Sequence, residues 1–326
     1  MIHKEVIIIG AGPTGLVCGI EAQKAGLDYL ILEKGLLVNS LYNFPTNMTF
    51  FSTSSLLEIG DVPFISHHDK PTRAESLEYY RRLVSSYDLQ INYREKMLDL
   101  KAHKKGGYIL NTSKTKYHCQ NLILAIGFYD VPNLLNVPGE ELPKVKHYYD
   151  DAHKYIGQKV LVIGAANSAC DVALETYQKG AEVSMAVRKE TLYKKVKYWI
   201  KPNIENRIKE GSITAYFNTT VKEIKEGEVV LMGPKGTFSI ENDHVLAMTG
   251  YQPDFSFLEN LGIQFEGENK IPVYNELTLE SNMPNVYLAG VILAGKQTSK
   301  LFIENTRDHG KMIIRAIGEA NKQKIK

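Results

Sequence analysis

Two short segments rich in glycine and alanine have a residue spacing that suits the binding of phosphate groups. The first reads GAGPTG at residues 10–15, after an apolar run at 5–9, and the second reads GAANSA at 164–169, after an apolar run at 159–163. Each opens a stretch with a helical pattern, so unpaired backbone N–H groups and the positive end of a helix dipole should meet there. Such a turn is typical of a site that binds dinucleotide phosphates.

The residues expected to hold phosphate follow from their positions in the two turns. They are Gly10, Gly12, Pro13, Thr14 and Gly15 in the first turn, and Gly164, Ala166, Asn167, Ser168 and Ala169 in the second. The first glycine allows a tight bend, the second lets a pyrophosphate approach the backbone, and the third lets helix and strand pack closely. Because Ala166 stands at the second position of the later turn, we expect a slightly longer pyrophosphate contact there.

The two turns belong to a longer internal repeat. Four pairs of landmarks recur 154 positions apart along the chain: Gly10 with Gly164, Gly15 with Ala169, Gly26 with Gly180, and Glu33 with Val187. Each copy reads as strand, turn, helix and strand, with a glycine suited to end the helix. This shared register predicts two related dinucleotide-binding units rather than two ordinary loops.

The tips of the second strands differ in charge, which predicts different cofactors. Glu33 offers a carboxylate that accepts hydrogen bonds from ribose hydroxyls and repels a 2′-phosphate, so the first unit should bind FAD or NAD, with Lys34 as a further candidate contact to that cofactor. The second unit has Val187 and then Arg188 and Lys189, and arginine can hold a phosphate through paired N–H groups. This favours NADPH over NADH, with a solvated strand end as the alternative interpretation.

Apolar runs elsewhere predict the other elements and the order of the domains. Residues 122–127 and 245–250 each read as a buried strand ending in glycine, and they flank the second unit. Further expected elements are a hairpin turn at 104–107, a meander at 214–240, a strand at 285–289 and a last helix at 303–320. The fold class is therefore α/β with two Rossmann-like, three-layer dinucleotide-binding domains: an FAD domain at 1–127 and 243–326, and an NAD(P)H domain inserted at 128–242.

Composition and charge exclude several classes of protein. Hydrophobic residues make up 44% and charged residues 23% of the 326 positions, which is typical of a folded chain and excludes long disorder. The net charge of +2 indicates neither a nucleic acid nor a membrane as partner. No apolar run approaches the ~20 residues of a membrane helix. A strand-like run begins close behind Met1, so we expect no signal peptide and a cytoplasmic protein.

Several segments resemble one family over nearly the whole chain. They are SLYNFP at 40–45, FFS at 50–52, IGDVPF at 59–64, LPKVKHYY at 142–149, GAANSA at 164–169, AGVILAG at 289–295 and FIEN at 302–305. Together they resemble the bacillithiol disulfide reductases, which are thioredoxin-reductase-like flavoproteins without a C-x-x-C. The resemblance implies an FAD enzyme that uses NADPH to reduce a small disulfide, and it implies a homodimer.

The positions of the cysteines are where this sequence departs from that family. Cys18, Cys119 and Cys170 form no C-x-x-C pair and have no metal-ligand spacing, so no metal is expected. The best-known family members carry a cysteine inside the first glycine-rich turn, where this sequence has Thr14. Cys18 lies one helical turn further on and is a candidate to replace it, and His309 is a candidate proton donor.

Contacts to the flavin are expected from aromatic residues and from glycines at strand ends. The candidates are Tyr42, Phe44 and Phe51 for the ring, with plain core packing as the alternative, and Gly127 and Gly290 for other parts of FAD. The start of the last helix, near 302–304, is a candidate to stabilise negative charge on the reduced flavin through its dipole.

The electron acceptor stays open from sequence alone. Besides a small disulfide, the missing cysteine pair would suit a small redox protein, such as ferredoxin or flavodoxin, or a quinone. Pro138, Gly139 and His147 faintly resemble flavin monooxygenases. The remaining hypothesis is a flavoprotein that senses NADPH without turning over an acceptor.

Overall fold

Short strands and helices alternate along the chain in the computed structural model, which describes residues 1–324. Its strands are β1 (Ile2–Ile9), β2 (Tyr29–Leu32), β3 (Ile91–Asn92), β4 (Met97–Ala102), β5 (Tyr108–Thr112), β6 (Lys116–Leu124), β7 (Val131–Pro132), β8 (Val145–Lys146), β9 (Lys159–Ile163), β10 (Glu182–Val187), β11 (Thr214–Phe217), β12 (Thr220–Ile224), β13 (Glu228–Gly233), β14 (Gly236–Glu241), β15 (His244–Ala247), β16 (Tyr251–Gln252), β17 (Phe265–Glu266), β18 (Ile271–Pro272) and β19 (Val286–Leu288). Its helices are α1 (Pro13–Lys24), α2 (Asn39–Tyr42), α3 (Ser54–Leu57), α4 (Arg73–Tyr87), α5 (Asn167–Gln178), α6 (Lys201–Lys209), α7 (Phe255–Leu261), α8 (Ile303–Thr306) and α9 (His309–Lys324), with 3₁₀ turns at Ala152–Tyr155 and Gly290–Ala294.

The chain divides into two units. Unit 1 contains Met1–Asn43, Met48–Val131 and the described residues from Tyr251 onward, and unit 2 contains Phe44–Asn47 and Pro132–Gly250. The boundaries predicted from the sequence lie at 127/128 and 242/243. Which cofactor each unit holds stays a prediction and is taken up below.

A mainly parallel sheet forms the centre of unit 1. Its order is β3-β2-β1-β6-β5-β4, and β19 also pairs with β6. The long β6 has two partners on one side: its first half pairs antiparallel with β5 and its second half pairs parallel with β19. The hairpin turn predicted at 104–107 is confirmed between β4 and β5. Apolar runs such as Val6 to Ile9 are buried because layers cover both faces of the sheet.

Unit 2 contains a parallel sheet and a separate antiparallel meander. The parallel sheet has the order β11-β10-β9-β15-β8, and the meander has the order β12-β13-β14. The prediction of one meander over 214–240 is partly wrong, since β11 joins the parallel sheet beside β10. Gly227 lies between β12 and β13, and Pro234 lies between β13 and β14, so the meander turns at these positions.

The predicted repeat is present in the register of the strands. Val6 of β1 pairs with Tyr29 of β2, and Val160 of β9 pairs with Val183 of β10, 154 positions later in both strands. β6 lies beside β1 as β15 lies beside β9. The predicted fold class is therefore confirmed: two Rossmann-like α/β domains, one inserted into the other.

The last helix differs from its prediction. The expected single helix at 303–320 is broken at residues 307–308 into the four-residue α8 and the longer α9. The Thr306 hydroxyl donates to the Phe302 carbonyl at 2.8 Å, and the Asn305 side-chain oxygen accepts from the Phe302 N–H at 2.7 Å. These local hydrogen bonds hold α8 as a separate helical turn. Within residues 1–324, no helix combines the length and apolar character needed to cross a bilayer.

Candidate functional site

The first glycine-rich turn is tightly packed on one side and open on the other. Gly10 has φ +107°, and a Cβ there would lie 2.5 Å from the Ala125 carbonyl oxygen. A Cβ on Gly15 would lie 1.9 Å from the Gly10 carbonyl oxygen, whereas a Cβ on Gly12 would have no atom within 4 Å. Gly12 is also the N-cap of α1, and Pro13 follows it in the first turn. The open side at Gly12 is thus where a phosphate can approach the unpaired N–H groups of the helix.

Glu33, directly after β2, holds the first glycine-rich turn through hydrogen bonds to its carboxylate. It is only 5% exposed, and its two carboxylate oxygens accept from the Ala11 N–H at 2.8 Å and the Gly35 N–H at 2.7 Å. Burial raises the pKa of the Glu33 carboxyl, and the two N–H donors oppose that rise. Each oxygen can accept a further hydrogen bond, so the group fits ribose hydroxyls. Its neighbour Lys34 pairs with Asp130 at 2.8 Å.

Thr14 and Gly290 lie side by side in unit 1. A Cβ on Gly290 would approach the Thr14 hydroxyl oxygen to 3.0 Å, and that oxygen lies 3.1 Å from the Thr306 hydroxyl oxygen. The Gly290 N–H donates to His309 Nδ1 at 3.0 Å. The start of the 3₁₀ turn after β19 is therefore fixed against the glycine-rich turn, although 276 positions separate Thr14 from Gly290 in sequence.

His309 holds backbone rather than presenting a charge. Its side chain is 9% exposed, and burial lowers the pKa of the imidazole to about 4. Because Nδ1 accepts the Gly290 N–H, the neutral ring carries its proton on Nε2. We therefore treat His309 as a residue that positions Gly290, not as an imidazolium acid near neutral pH.

Acidification from about pH 7 is expected to destabilise the protein through His309. The pKa is about 6.5 in the unfolded chain and about 4 in the folded protein, so the unfolded state takes up the proton first as the pH falls. The stabilising contribution is complete above about pH 7 and is lost between about pH 6.5 and 4, by about 3 kcal/mol in total. The His309→Asn variant keeps an acceptor for the Gly290 N–H and does not titrate. Urea unfolding at several pH values should show the wild type losing more free energy of unfolding than this variant, and parallel curves would contradict the assignment.

The aromatic candidates for the flavin ring are not core residues. Tyr42 is 48% exposed and Phe51 is 58% exposed, so plain core packing does not describe either side chain. The Arg73 guanidinium lies 5.3 Å from the Tyr42 ring centroid, and Lys70 Nζ lies 5.0 Å from that of Phe51. Phe44 belongs to the short segment assigned to unit 2. The two rings in unit 1 are thus held by cations and keep surface available for a planar partner.

Two further candidates in unit 1 have different outcomes. Gly127 has φ +69°, a backbone conformation that favours glycine, and a Cβ there would meet only the Ser40 hydroxyl at 4.0 Å. The expected dipole at 302–304 has little support, because α8 is one turn long. Its Glu304 already accepts from the Ser52 hydroxyl at 2.7 Å, which places a negative charge at the helix start.

All three thiols are sealed inside the fold. Cys18, Cys119 and Cys170 are each 0% exposed, and burial raises the pKa of each thiol to about 12. A disulfide is attacked by a thiolate that it can reach, and these side chains supply neither condition. The structure therefore gives no support to Cys18 as a catalytic residue. Cys170 lies near the start of α5, where a helix dipole would lower the pKa of a thiol, but desolvation outweighs that effect.

The second glycine-rich turn is built like the first and is crossed by a basic segment. Gly164 has φ +136°, and a Cβ there would lie 2.6 Å from the Met248 carbonyl oxygen. Ala166 and Ser168 are exposed. The Asn167 side chain accepts from the Lys197 N–H at 2.8 Å, which fixes residues near 197 beside the turn.

The strand tip of unit 2 fits a phosphate group. Val187 is 1% exposed, whereas Arg188 and Lys189 are exposed and form no ion pair within residues 1–324. Two cations without a carboxylate partner at the end of β10 are available to an anion beside the nearby turn. The first unit offers the buried Glu33 at the matching position, so the two units differ where the sequence predicted.

Some residues of these sites were not identified from sequence. Ala125 carries the carbonyl that Gly10 packs against, Thr306 contacts Thr14, and Lys197 donates to Asn167. Backbone groups leave no side-chain signal, and the other two contacts join segments far apart in the chain. The only available hint was the strand-end glycine at 127, which marks the turn following Ala125.

Comparison with known proteins gives a consistent result over the whole chain. The sequence pattern of the family described as pyridine nucleotide-disulphide oxidoreductase matches residues 7–290. "Bacilliredoxin reductase Bdr" of Bacillus subtilis is 43% identical over 311 residues, covering 95% of this chain and 96% of that protein. Two solved structures titled Bacillithiol Disulfide Reductase Bdr are similar. The structure from Staphylococcus aureus has a TM-score of 0.94 and 43% sequence identity, and the match covers 97% of this chain and 98% of that chain. The structure from Bacillus cereus has a TM-score of 0.95 and 41% identity, and the match covers 98% of this chain and 99% of that chain.

Proposed function

Since the chain belongs to the pyridine nucleotide-disulphide oxidoreductase family, we propose that it uses FAD and NADPH to reduce a small disulfide of the bacillithiol type. The observation that carries this proposal is that two glycine-rich turns with matching strand register are followed by strands whose ends differ in charge. The first unit has the buried acidic Glu33 there, and the second has the basic Arg188 and Lys189. A carboxylate selects free ribose hydroxyls, and paired cations select a 2′-phosphate. The full-length relatives support the choice of a disulfide as acceptor.

The residues of this chain bind and orient, since the bound flavin and nicotinamide would supply the hydride chemistry. In the proposal, the N–H groups after Gly12 bind the FAD pyrophosphate and Glu33 binds the adenosine ribose. The N–H groups after Ala166 bind the NADPH pyrophosphate, and Arg188 binds the 2′-phosphate. Tyr42 and Phe51 lie against the flavin ring.

The burial of the thiols gives the reaction a particular form. All three cysteines lie within residues 1–324 and are buried, so they offer no thiolate for a mixed disulfide, and a bound flavin would supply the electrons for the acceptor. The same burial favours a second acceptor class, a small redox protein or a quinone, which needs no thiol. Stopped-flow mixing of the reduced protein with flavodoxin would separate the two classes.

The proposal is tested with purified protein by a visible spectrum, an anaerobic titration and a thiol assay. We expect a flavin spectrum, bleaching by one equivalent of NADPH, and thiol release from bacillithiol disulfide above the rate of oxygen consumption. A protein that stays colourless after reconstitution with FAD would refute flavin binding. A flavin that bleaches while no thiol appears would refute the acceptor and leave the cofactors standing.

Removing Arg188 is expected to separate the two nicotinamide cofactors. The Arg188→Ala variant loses a bidentate contact to the 2′-phosphate, so KM for NADPH should rise about tenfold or more while KM for NADH changes little. Arg315→Ala, which removes another exposed arginine, from α9, is the control. Steady-state flavin reduction with both cofactors measures the effect. An equal loss with NADPH and NADH would show that Arg188 does not bind the 2′-phosphate.

A further inference from the structure

A polar cavity of about 670 Å³ lies in unit 1 beside the segment that carries Phe51. It is lined by Thr49, Ser54, Ser66, His67, His68, Asp69, Lys70 and Thr72. None of these residues belongs to the predicted cofactor sites. Its volume lies within the range of sites for small molecules, about 300–1,000 Å³.

The walls of this cavity are fixed by backbone contacts. Residues 48–54 and 69–73 are joined by three hydrogen bonds of 2.9 Å, from Phe50 N to Pro71 O, from Ser54 N to Asp69 O, and from Arg73 N to Met48 O. On the far wall, the His67 N–H donates to the Glu75 carboxylate at 2.7 Å, and Glu75 also closes the capping box of α4. The cavity is therefore a formed feature and not a gap between loose loops.

Five of the eight residues that line the cavity have side chains with hydrogen-bonding capacity left over. Those of Thr49, Ser54, His67, His68 and Asp69 make no hydrogen bond within residues 1–324. The His67 and His68 rings pack edge to face with centroids 4.5 Å apart, which orients both imidazoles. Polar groups gathered in one cavity without protein partners can bind a polar ligand.

The charges and hydroxyls select the kind of ligand. His67, His68 and Lys70 each have an N–H group that can donate to an anion, and Asp69 is the single acid in the lining, with the Glu75 carboxylate bonded to the His67 backbone beside it. The hydroxyl groups of Thr49 and Ser54 can also donate hydrogen bonds to a carboxylate oxygen. The lining therefore fits a small anion that carries carboxylate groups better than it fits a cation or an apolar molecule.

We propose that this cavity binds a carboxylate-bearing end of the disulfide substrate. The inference rests on the proposed function for the disulfide, and on Lys70 for its place: Lys70 lines the cavity and its Nζ also lies 5.0 Å from the ring of Phe51, the residue assigned to the flavin. One end of the substrate occupies the cavity while the sulfur atoms extend toward Phe51.

Two disulfides of similar size but different charge test the cavity. Dithiodipropionate ends in carboxylates, whereas hydroxyethyl disulfide ends in neutral hydroxyls. The double variant His67→Gln/His68→Gln should weaken binding of dithiodipropionate about tenfold or more in calorimetry of the FAD-loaded protein, with no change for hydroxyethyl disulfide. Asp69→Asn should act in the opposite direction and tighten binding of the carboxylate, because it removes a like charge.

Controls separate this inference from the proposed function. His153→Gln, an exposed histidine in unit 2, should change neither binding nor turnover. FAD content and the rate of flavin reduction by NADPH should match the wild type in all three variants. Equal weakening for both disulfides, or loss of FAD from the double variant, would overturn the cavity assignment. Carboxylate-selective binding in a protein that reduces no disulfide would refute the proposed function and leave the cavity as an anion site.

Discussion

Replacing Gly10 with alanine is expected to destabilise unit 1 strongly, whereas replacing Gly12 should leave the fold intact and weaken flavin binding. At Gly10 the added Cβ would lie 2.5 Å from a backbone oxygen and the residue would keep φ +107°. Neither the backbone oxygen nor the turn can move cheaply, so we expect a loss of at least about 3 kcal/mol of stability. At Gly12 the added methyl group meets nothing in the protein and occupies only the space where a phosphate would approach.

The second unit serves as an internal control for this contrast. It keeps glycine at Gly164, where φ is +136° and a Cβ would meet a backbone oxygen at 2.6 Å, and it has Ala166 at the position of Gly12. It also has Ala169 at the position of Gly15, so its turn has room for a Cβ that the first turn lacks. Urea unfolding of the apoproteins and the ratio of flavin to protein absorbance measure the two effects. Equal losses of stability in Gly10→Ala and Gly12→Ala would contradict this account.

The Glu33→Gln substitution is expected to have the second large effect. Both oxygens of the Glu33 carboxylate accept from backbone N–H groups, of Ala11 and Gly35. An amide has one oxygen and one NH₂ group, so in either orientation a donor faces a donor inside a site that is 5% exposed. We expect about 2–3 kcal/mol of lost stability, a loosened turn and FAD that dissociates on gel filtration.

Lys34→Gln is the matched comparison for Glu33→Gln. It changes the adjacent residue and breaks an ion pair with Asp130 that water reaches, for which we expect less than about 1 kcal/mol. The thermal midpoint of each apoprotein and the FAD retained after gel filtration decide the matter. Full retention of FAD by Glu33→Gln would mean that Glu33 neither fixes the turn nor binds the ribose.

Local sequence signals predicted the parts of the fold that depend on neighbours in the chain. β2 and β9 begin and end where their apolar runs do, and Gly26 and Gly180 follow α1 and α5, both with positive φ. The 154-residue repeat also predicts the strand register. Because the strand, the glycine-rich turn and the helix have the same lengths in both units, the next strand must pair with the first one at matching positions.

Distant contacts decided the features that the sequence analysis missed. The break before His309 depends on bonds to Gly290 and within α8, while the helical pattern itself continues through residues 307–308. The burial of Cys18 follows from the packing of α1 against β2 and α9, which no local pattern encodes. The cavity at His67 and His68 exists only because segments 48–54 and 69–73 pair with each other.

The sealed thiols also have a consequence for how long the catalyst survives. Peroxide and alkylating reagents inactivate proteins that expose low-pKa sulfhydryl groups, and mixed disulfides accumulate on the same groups under oxidative stress. Here every sulfhydryl group is inside the fold. Such reagents therefore have no exposed thiol to modify within residues 1–324, and treatment of the native protein with iodoacetamide should leave its activity unchanged.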